Sequence, residues 1–106
     1  MIRGSQFYTI NRLADNVSVI YMAEMDKRMQ VICGRLDMLI NDTSVPRNIR
    51  LGSDKAKNAL MDARRALDVR AATAISMLDE LANDQNIPMH ARTLVWNIMS
   101  QLETLK

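Results

Sequence analysis

Apolar residues recur along most of this chain at steps of three and four. Met22, Met25, Met29, Ile32, Leu36 and Leu39 form one series, and Ile49, Ala56, Leu60, Ala63 and Leu67 a second. Ala71, Ile75, Leu78 and Ala82 form a third, followed by Ala91, Val95, Ile98, Leu102 and Leu105. That period keeps each series on one face of an α-helix. The pattern therefore predicts four amphipathic helices, over residues 26–40, 46–66, 69–82 and 88–104.

The breaks between stripes carry their own chemistry. Residues 41–50 read NDTSVPRNIR, and residues 83–92 read NDQNIPMHAR. A proline inside a helix costs about 3 kcal/mol, but in the first turn its missing N–H would have had no partner anyway. Pro46 and Pro88 therefore mark helix starts, and Val45 and Ile87 tolerate the extended geometry imposed on the residue before proline. Asn41 and Asn83 suit the left-handed conformation that often ends a helix. Asp42 and Asp84 sit just before a helix N-terminus, where negative charge is favoured. Asp26 and Asp68 suit the N-caps of the first and third helices. Arg50 and Arg92 lie one turn into the following helix, and the expected role is a clamp onto the Asp42 and Asp84 carboxylates. The alternative is an anion-binding pair.

The two decapeptides are one pattern displaced by 42 residues, and the match extends beyond them. Asp26, Arg28, Leu36, Asp37, Leu39 and Leu60 align with Asp68, Arg70, Leu78, Asp79, Leu81 and Leu102. The chain thus reads as two helical hairpins, 26–67 and 68–106, from a duplicated unit. Two hairpins bury their stripes best as a closed four-helix bundle of up-and-down topology, since open solenoids generally need three or more repeats. Gly34 and Gly52, inside helices, suggest close helix approach.

Residues 1–24 stand apart. Phe7, Tyr8 and Tyr21 lie there, leaving Trp96 as the single aromatic downstream. Ile10, Leu13, Val17 and Tyr21 keep helical spacing, so this segment reads as an N-terminal extension, partly helical or loose, ahead of one four-helix domain at 25–106. Met22 and Met25 are alternative starts for a self-contained chain.

Composition narrows the function. Hydrophobic residues make up 48% and charged residues 25% of 106 residues, which excludes global disorder and allows one small core. Aromatic content of 4% favours helices over a sheet. One cysteine cannot form an internal disulfide, no apolar run follows the N-terminal arginines as a secretory signal requires, and no stretch approaches the ~20 apolar residues that span a bilayer. A cytoplasmic protein without membrane contact is expected.

No catalytic constellation is legible. His90 is the only histidine and Cys33 the only thiol, too few for a zinc site of ordinary ligand number. His90 reads as an exposed residue of a helix first turn rather than a general base, and Cys33 as a small hydrophobe rather than a nucleophile. Gly4, Gly34 and Gly52 are isolated, so no phosphate-binding loop exists. No cofactor or metal is expected. The net charge of +2 hides an excess of positive charge over residues 47–70. Arg50, Lys57 and Arg64 recur every seventh residue and could face phosphates, yet Asp54 and Asp68 follow Arg50 and Arg64 by four, as in ordinary solvated pairs. Among nine methionines, Met25 and Met29 fall on a core stripe, whereas Met61 and Met99 fall off the stripes as candidates for a contact patch.

With NDTSVPRNIR and RAATAISMLDELANDQNIPMHARTLVWNIMSQLE, the chain resembles the small archaeal proteins grouped as family 0147 of the UPF series. The resemblance runs from about Met25 to Lys106 and implies a compact four-helix protein. It transfers no catalytic or binding residue. A weaker analogy is to HEAT-type repeats, whose second helix begins near a similar Asp and Arg. These readings converge on a non-enzymatic helical protein that contacts a protein partner or a second copy of itself. The alternative is an RNA- or ribosome-associated accessory protein using Arg50, Lys57 and Arg64, with Arg92 a further candidate contact.

Overall fold

The computed structural model describes residues 4–106, with the side chains of residues 19, 20 and 23–106. It is all-helical, with no strand among the described residues: α1 spans Gly4–Ile40, α2 Arg47–Leu60, α3 Leu67–Ala82 and α4 Met89–Glu103. The chain divides into two compact units, Met1–Gln30 and Val31–Lys106. In the first, the helix starts at Gly4. Asp26 therefore lies inside α1 and caps nothing. Met22 lies outside the described side chains.

In the second unit the core is built from the expected stripes. Ile32, Leu36 and Leu39 of α1 are buried, with Ile49, Ala56 and Leu60 of α2, Ala71 and Leu78 of α3, and Val95, Ile98 and Leu102 of α4. α2 packs on α3, and α3 on α4. Ser53, not predicted to face inward, is fully buried and donates its hydroxyl to Ile49 O at 2.8 Å, which satisfies the polar group. Ala74 is buried in α3, while Ile75 is half-buried. A Cβ on Gly52 would lie 2.5 Å from the nearest Leu81 methyl, so this glycine does permit close approach; a Cβ on Gly34 would meet nothing within 4 Å.

The largest departure from expectation is a third joint. α2 ends at Leu60, not near residue 66, and residues 61–66 (MDARRA) make the same turn as residues 41–46. Each joint opens with an amide bonded to a carbonyl three residues back: Asp42 to Leu39, Asp62 to Ala59, Asp84 to Leu81. In each, the Asp carboxylate accepts the backbone N–H two residues on, from Ser44 (2.9 Å), Arg64 (3.2 Å) and Asn86 (2.7 Å). This is the Asx-turn, in which a short acidic side chain imitates a backbone acceptor. Each Asp carbonyl then accepts the next amide along, from Val45, Arg65 and Ile87. The middle joint lacks proline, and Ala63 and Leu67 continue the apolar spacing, so periodicity alone runs straight through it. Ala63 is in fact exposed.

Two cap assignments also change. No non-glycine residue among those described has positive φ, and Asn83 sits at φ −88°, ψ −1°, so neither Asn41 nor Asn83 is left-handed. Pro46 and Pro88 occupy the N-cap positions of α2 and α4 themselves, and no side chain caps either helix. Val45 and Ile87, just before them, are buried and pin the chain at each helix entry. Ala66 is the N-cap of α3, and Asp68 falls within its first turn.

Candidate interaction surface

The repeated arginines close the joints, though not through the atoms expected. Arg92 donates Nε to Ala82 O at 3.1 Å and Nη2 to Asp84 O at 3.2 Å, both backbone carbonyls. Arg70 donates Nη1 to Leu60 O at 3.2 Å, the position in the middle joint equivalent to Ala82. The last carbonyls of a helix have no partner within it, and a guanidinium fork supplies donors there. The anticipated bond from Arg92 to the Asp84 carboxylate, and from Arg50 to that of Asp42, does not form. Arg50 is half-buried, with its Nε unpartnered. Arg70 was missed, although Asp62 and Arg70 are eight apart, as are Asp42 and Arg50 and Asp84 and Arg92.

The freed carboxylates reach across the fold. Asp84 Oδ2 accepts Asn48 Nδ2 at 2.9 Å, and Asp42 Oδ2 accepts His90 Nε2 at 2.9 Å. Asn48 and His90 each lie six residues after their own joint's Asp, so the outer joints hold one another reciprocally.

Asp42 also accepts Ser44 Oγ at 2.6 Å, which places serine, aspartate and histidine together. The Ser44 hydroxyl bond and then the His90 bond hold the Asp42 carboxyl at about 2, below its usual 3.8. The arrangement is not a nucleophilic triad. A triad places histidine between the other two, one ring nitrogen on each. Here a single ring nitrogen, Nε2, faces both Asp42 (2.9 Å) and Ser44 Oγ (3.4 Å), so the ring does not bridge the two through its two nitrogens, and the Ser44 hydroxyl is itself bonded to Asp42. Among the described residues no group of three or more His, Cys, Asp or Glu could hold a metal ion. Burial pushes the half-buried Cys33 thiol up, away from thiolate character.

The basic stripe does not survive as one face. Arg50 and Lys57 lie on α2, but Arg64 lies beyond its end, in the middle joint. Lys57 Nζ bonds Asp37 Oδ1 of α1 at 2.6 Å, a bond that raises the lysine's pKa. Arg64 bonds Asp62 through Nε at 2.9 Å and Nη2 at 3.2 Å, not Asp68.

What the fold does leave open is a groove between α1 and α4 and, apart from it, the outer side of α4. Asp42 meets His90, and Arg35 Nη1 donates to Asn97 Oδ1, so pairing that climbs α1 descends α4. Between these ties lies a groove of about 430 Å³ lined by Met38, Leu39, Thr93, Leu94 and the polar ends of Asp42, His90 and Asn97. Met38 is 61% exposed, Met89 67% and Trp96 52%, with exposed Val31 two helical turns before Met38. Met89, Thr93, Trp96 and Ser100 share the side of α4 opposite its buried residues. Between Arg92 and Glu103 that helix has no charged residue, a signal present in the sequence but without meaning until the open side of α4 was known. Of the two methionines expected outside the core, Met61 is exposed, at the end of α2, and Met99 is half-buried. Neither borders the α1–α4 groove.

Comparison with known proteins places the chain in context. The model of the uncharacterised protein family UPF0147 matches residues 16–105, so the family pattern begins upstream of Met25. UPF0147 protein MJ1419 of Methanocaldococcus jannaschii is 54% identical over 71 residues, covering 67% of this chain and 76% of that protein. The crystal structure of MMP1188, described as a protein of unknown function, aligns with TM-score 0.73 at 48% identity, over 74% of this chain and 90% of that one. The crystal structure of a UPF0147 protein from Thermoplasma acidophilum aligns with TM-score 0.73 at 41% identity, over 76% and 95%.

Proposed function

This chain belongs to the uncharacterised protein family UPF0147, and for it we propose a non-catalytic role as a helical module that acts through protein–protein contact. One observation carries the reading: the solvent-facing side of α4 holds Met89 and Trp96 and is uncharged from Thr93 to Leu102. Contact surfaces are distinguished by depletion of charge and enrichment in Trp, Met and other large side chains, not by overall hydrophobicity. A tryptophan left half in water on a small protein offers a large apolar area to a partner.

The scaffold behind this side of α4 is an up-and-down bundle of two related hairpins. The reciprocal bonds Asp42–His90 and Asp84–Asn48 between the outer joints support that reading, as does the pairing of α1 with α4 in opposite directions. The non-catalytic reading is supported by the convergence of Ser44 and His90 Nε2 on a single carboxylate, which is not the serine–histidine–aspartate relay geometry. The site of action is the cytoplasm, and no cofactor takes part; among the described residues no helix is long and apolar enough to cross a membrane. Protein is favoured over RNA because Lys57 and Arg64 are already paired with Asp37 and Asp62.

Site-specific photocross-linking tests this. A cross-linker at Met89 is expected to capture protein in the source cell, whereas one at Lys55, exposed on α2, is not. Equal capture from both sites, or capture of RNA from Lys55 and nothing from Met89, would overturn the proposal.

A further inference from the structure

We propose that two copies of this chain exchange halves: residues 61–66 straighten, α2 and α3 join into one helix, and each α1–α2 half packs on the α3–α4 half of the other copy. The inference goes beyond the protein-contact reading above and does not depend on the open side of α4. It rests on how the middle joint differs from the outer two.

The middle joint is the least anchored. Where the outer joints bury Val45 and Ile87 and follow them with Pro46 and Pro88, it places Arg65 and Ala66, both exposed. Its bonds come from Asp62, which accepts the Arg64 amide and guanidinium, and from Arg70, which donates to Leu60 O. Apart from Asp62, MDARRA consists of Met, Ala and Arg, all strong helix formers. A helix through the joint gives Leu60 O the Arg64 amide in place of the Arg70 guanidinium.

The buried faces of α2 and α3 are also in phase. The last buried residue of α2 is Leu60, and the first of α3 is Ala71. That interval of 11 residues is three turns to within about 20°, and Ala63 and Leu67 fill it at helical steps. The outer joints break phase. Leu39 to Ile49 is 10 residues and Ala82 to Ala91 is 9, which leaves those faces about 80° and about 180° apart. Of the three joints, only the middle one can straighten into a helix with one continuous apolar side.

A fused helix draws α2 away from its own α3, and a second copy in the same state covers both. The contacts between the halves form again between copies: Gly52 against Leu81, Asp42 with His90, Asn48 with Asp84, and Arg35 with Asn97. Native packing thus selects the partner, because the surfaces uncovered are ones this chain already matches. Exchange of this kind leaves the core unchanged and replaces the bonds of one exposed joint with helical hydrogen bonds.

The test refolds the full chain from heat at about 300 µM and separates monomer from dimer by size exclusion with light scattering. Spin labels at Leu51→Cys and Glu80→Cys, both exposed, in a Cys33→Ala background and diluted with unlabelled chain, report the state of α2 and α3. These sites are 29 residues apart, so pulsed paramagnetic resonance should give about 43 Å in the dimer and less than about 30 Å in the monomer. Ala66→Pro should weaken dimerisation by about 100-fold or more without lowering the monomer Tm, since Ala66 already sits at φ −63°. Asp62→Ala should strengthen it by about 10-fold or more, because it removes the turn and adds a helix former. Trp96→Glu, on the open side of α4, should leave it unchanged. A wild-type chain that stays monomeric, or a dimer whose labels stay as close as in the monomer, overturns the exchange. So does a dimer that Ala66→Pro leaves intact or that Trp96→Glu breaks.

Discussion

Replacing Arg92 with alanine gives the sharpest test of how the joints are held. The guanidinium donates to two half-buried carbonyls, Ala82 O and Asp84 O. Hydrogen bonds from a charged donor contribute about 1.5–3 kcal/mol each, and water entering the vacated corner recovers part of that. The expected loss is about 2–3 kcal/mol, or a fall of roughly 10–20 °C in Tm for a domain of this size. Arg92→Lys should recover less than half of it, because an ammonium cannot fork between two acceptors. The decisive measurement is a double-mutant cycle with Asp84→Ala, read by urea unfolding. A clamp between guanidinium and carboxylate would give a coupling above about 1 kcal/mol. Here the guanidinium binds the Asp84 main-chain carbonyl, which Asp84→Ala keeps, so the coupling should stay below about 0.5 kcal/mol. A larger coupling, or a loss below about 0.5 kcal/mol for Arg92→Ala itself, would refute the carbonyl-clamp account.

The other predictions concern glycine and acid. Gly34→Ala should raise stability by about 0.5–1 kcal/mol, the gain for replacing glycine in an open helix interior, as measured by thermal unfolding. Gly52→Ala has the same intrinsic gain but drives a Cβ against Leu81, so it should be neutral or destabilising; equal gains at both sites would contradict the packing described. Asp42 has a carboxyl pKa lowered in the fold to about 2, so its contribution is complete above its ordinary value of 3.8 and is lost as pH falls through about 2. Ser44→Ala should move the Asp42 titration, followed by carboxyl NMR, upward toward 3.8, because the hydroxyl is the largest cause of the shift; an unchanged midpoint would sink that assignment.

Much of the fold was legible along the chain. The stripes through Leu36, Leu60, Leu78 and Leu102 located four helices, because burial of one helical face imposes its period on the sequence. Pro46 and Pro88 fixed two helix starts to within one residue, because a missing N–H acts locally. The middle joint was harder to read. Its Asp62 and Arg70 carry the same chemistry as the outer pairs, but without proline nothing in the local pattern outweighs continued apolar spacing.

The sequence by itself determined four helices and two of the three turns. All of these follow from interactions within a turn or two of the backbone. Tertiary structure decided what each arginine binds, because helix-end carbonyls become acceptors only where the preceding helix stops. It moved the Asp42 and Asp84 carboxylates onto His90 and Asn48, residues more than thirty positions away. It also decided which side of α4 stays open. Trp96 and Met89 are ordinary apolar residues in the sequence, and they became a candidate surface because the helices that pack on α4 leave that side uncovered.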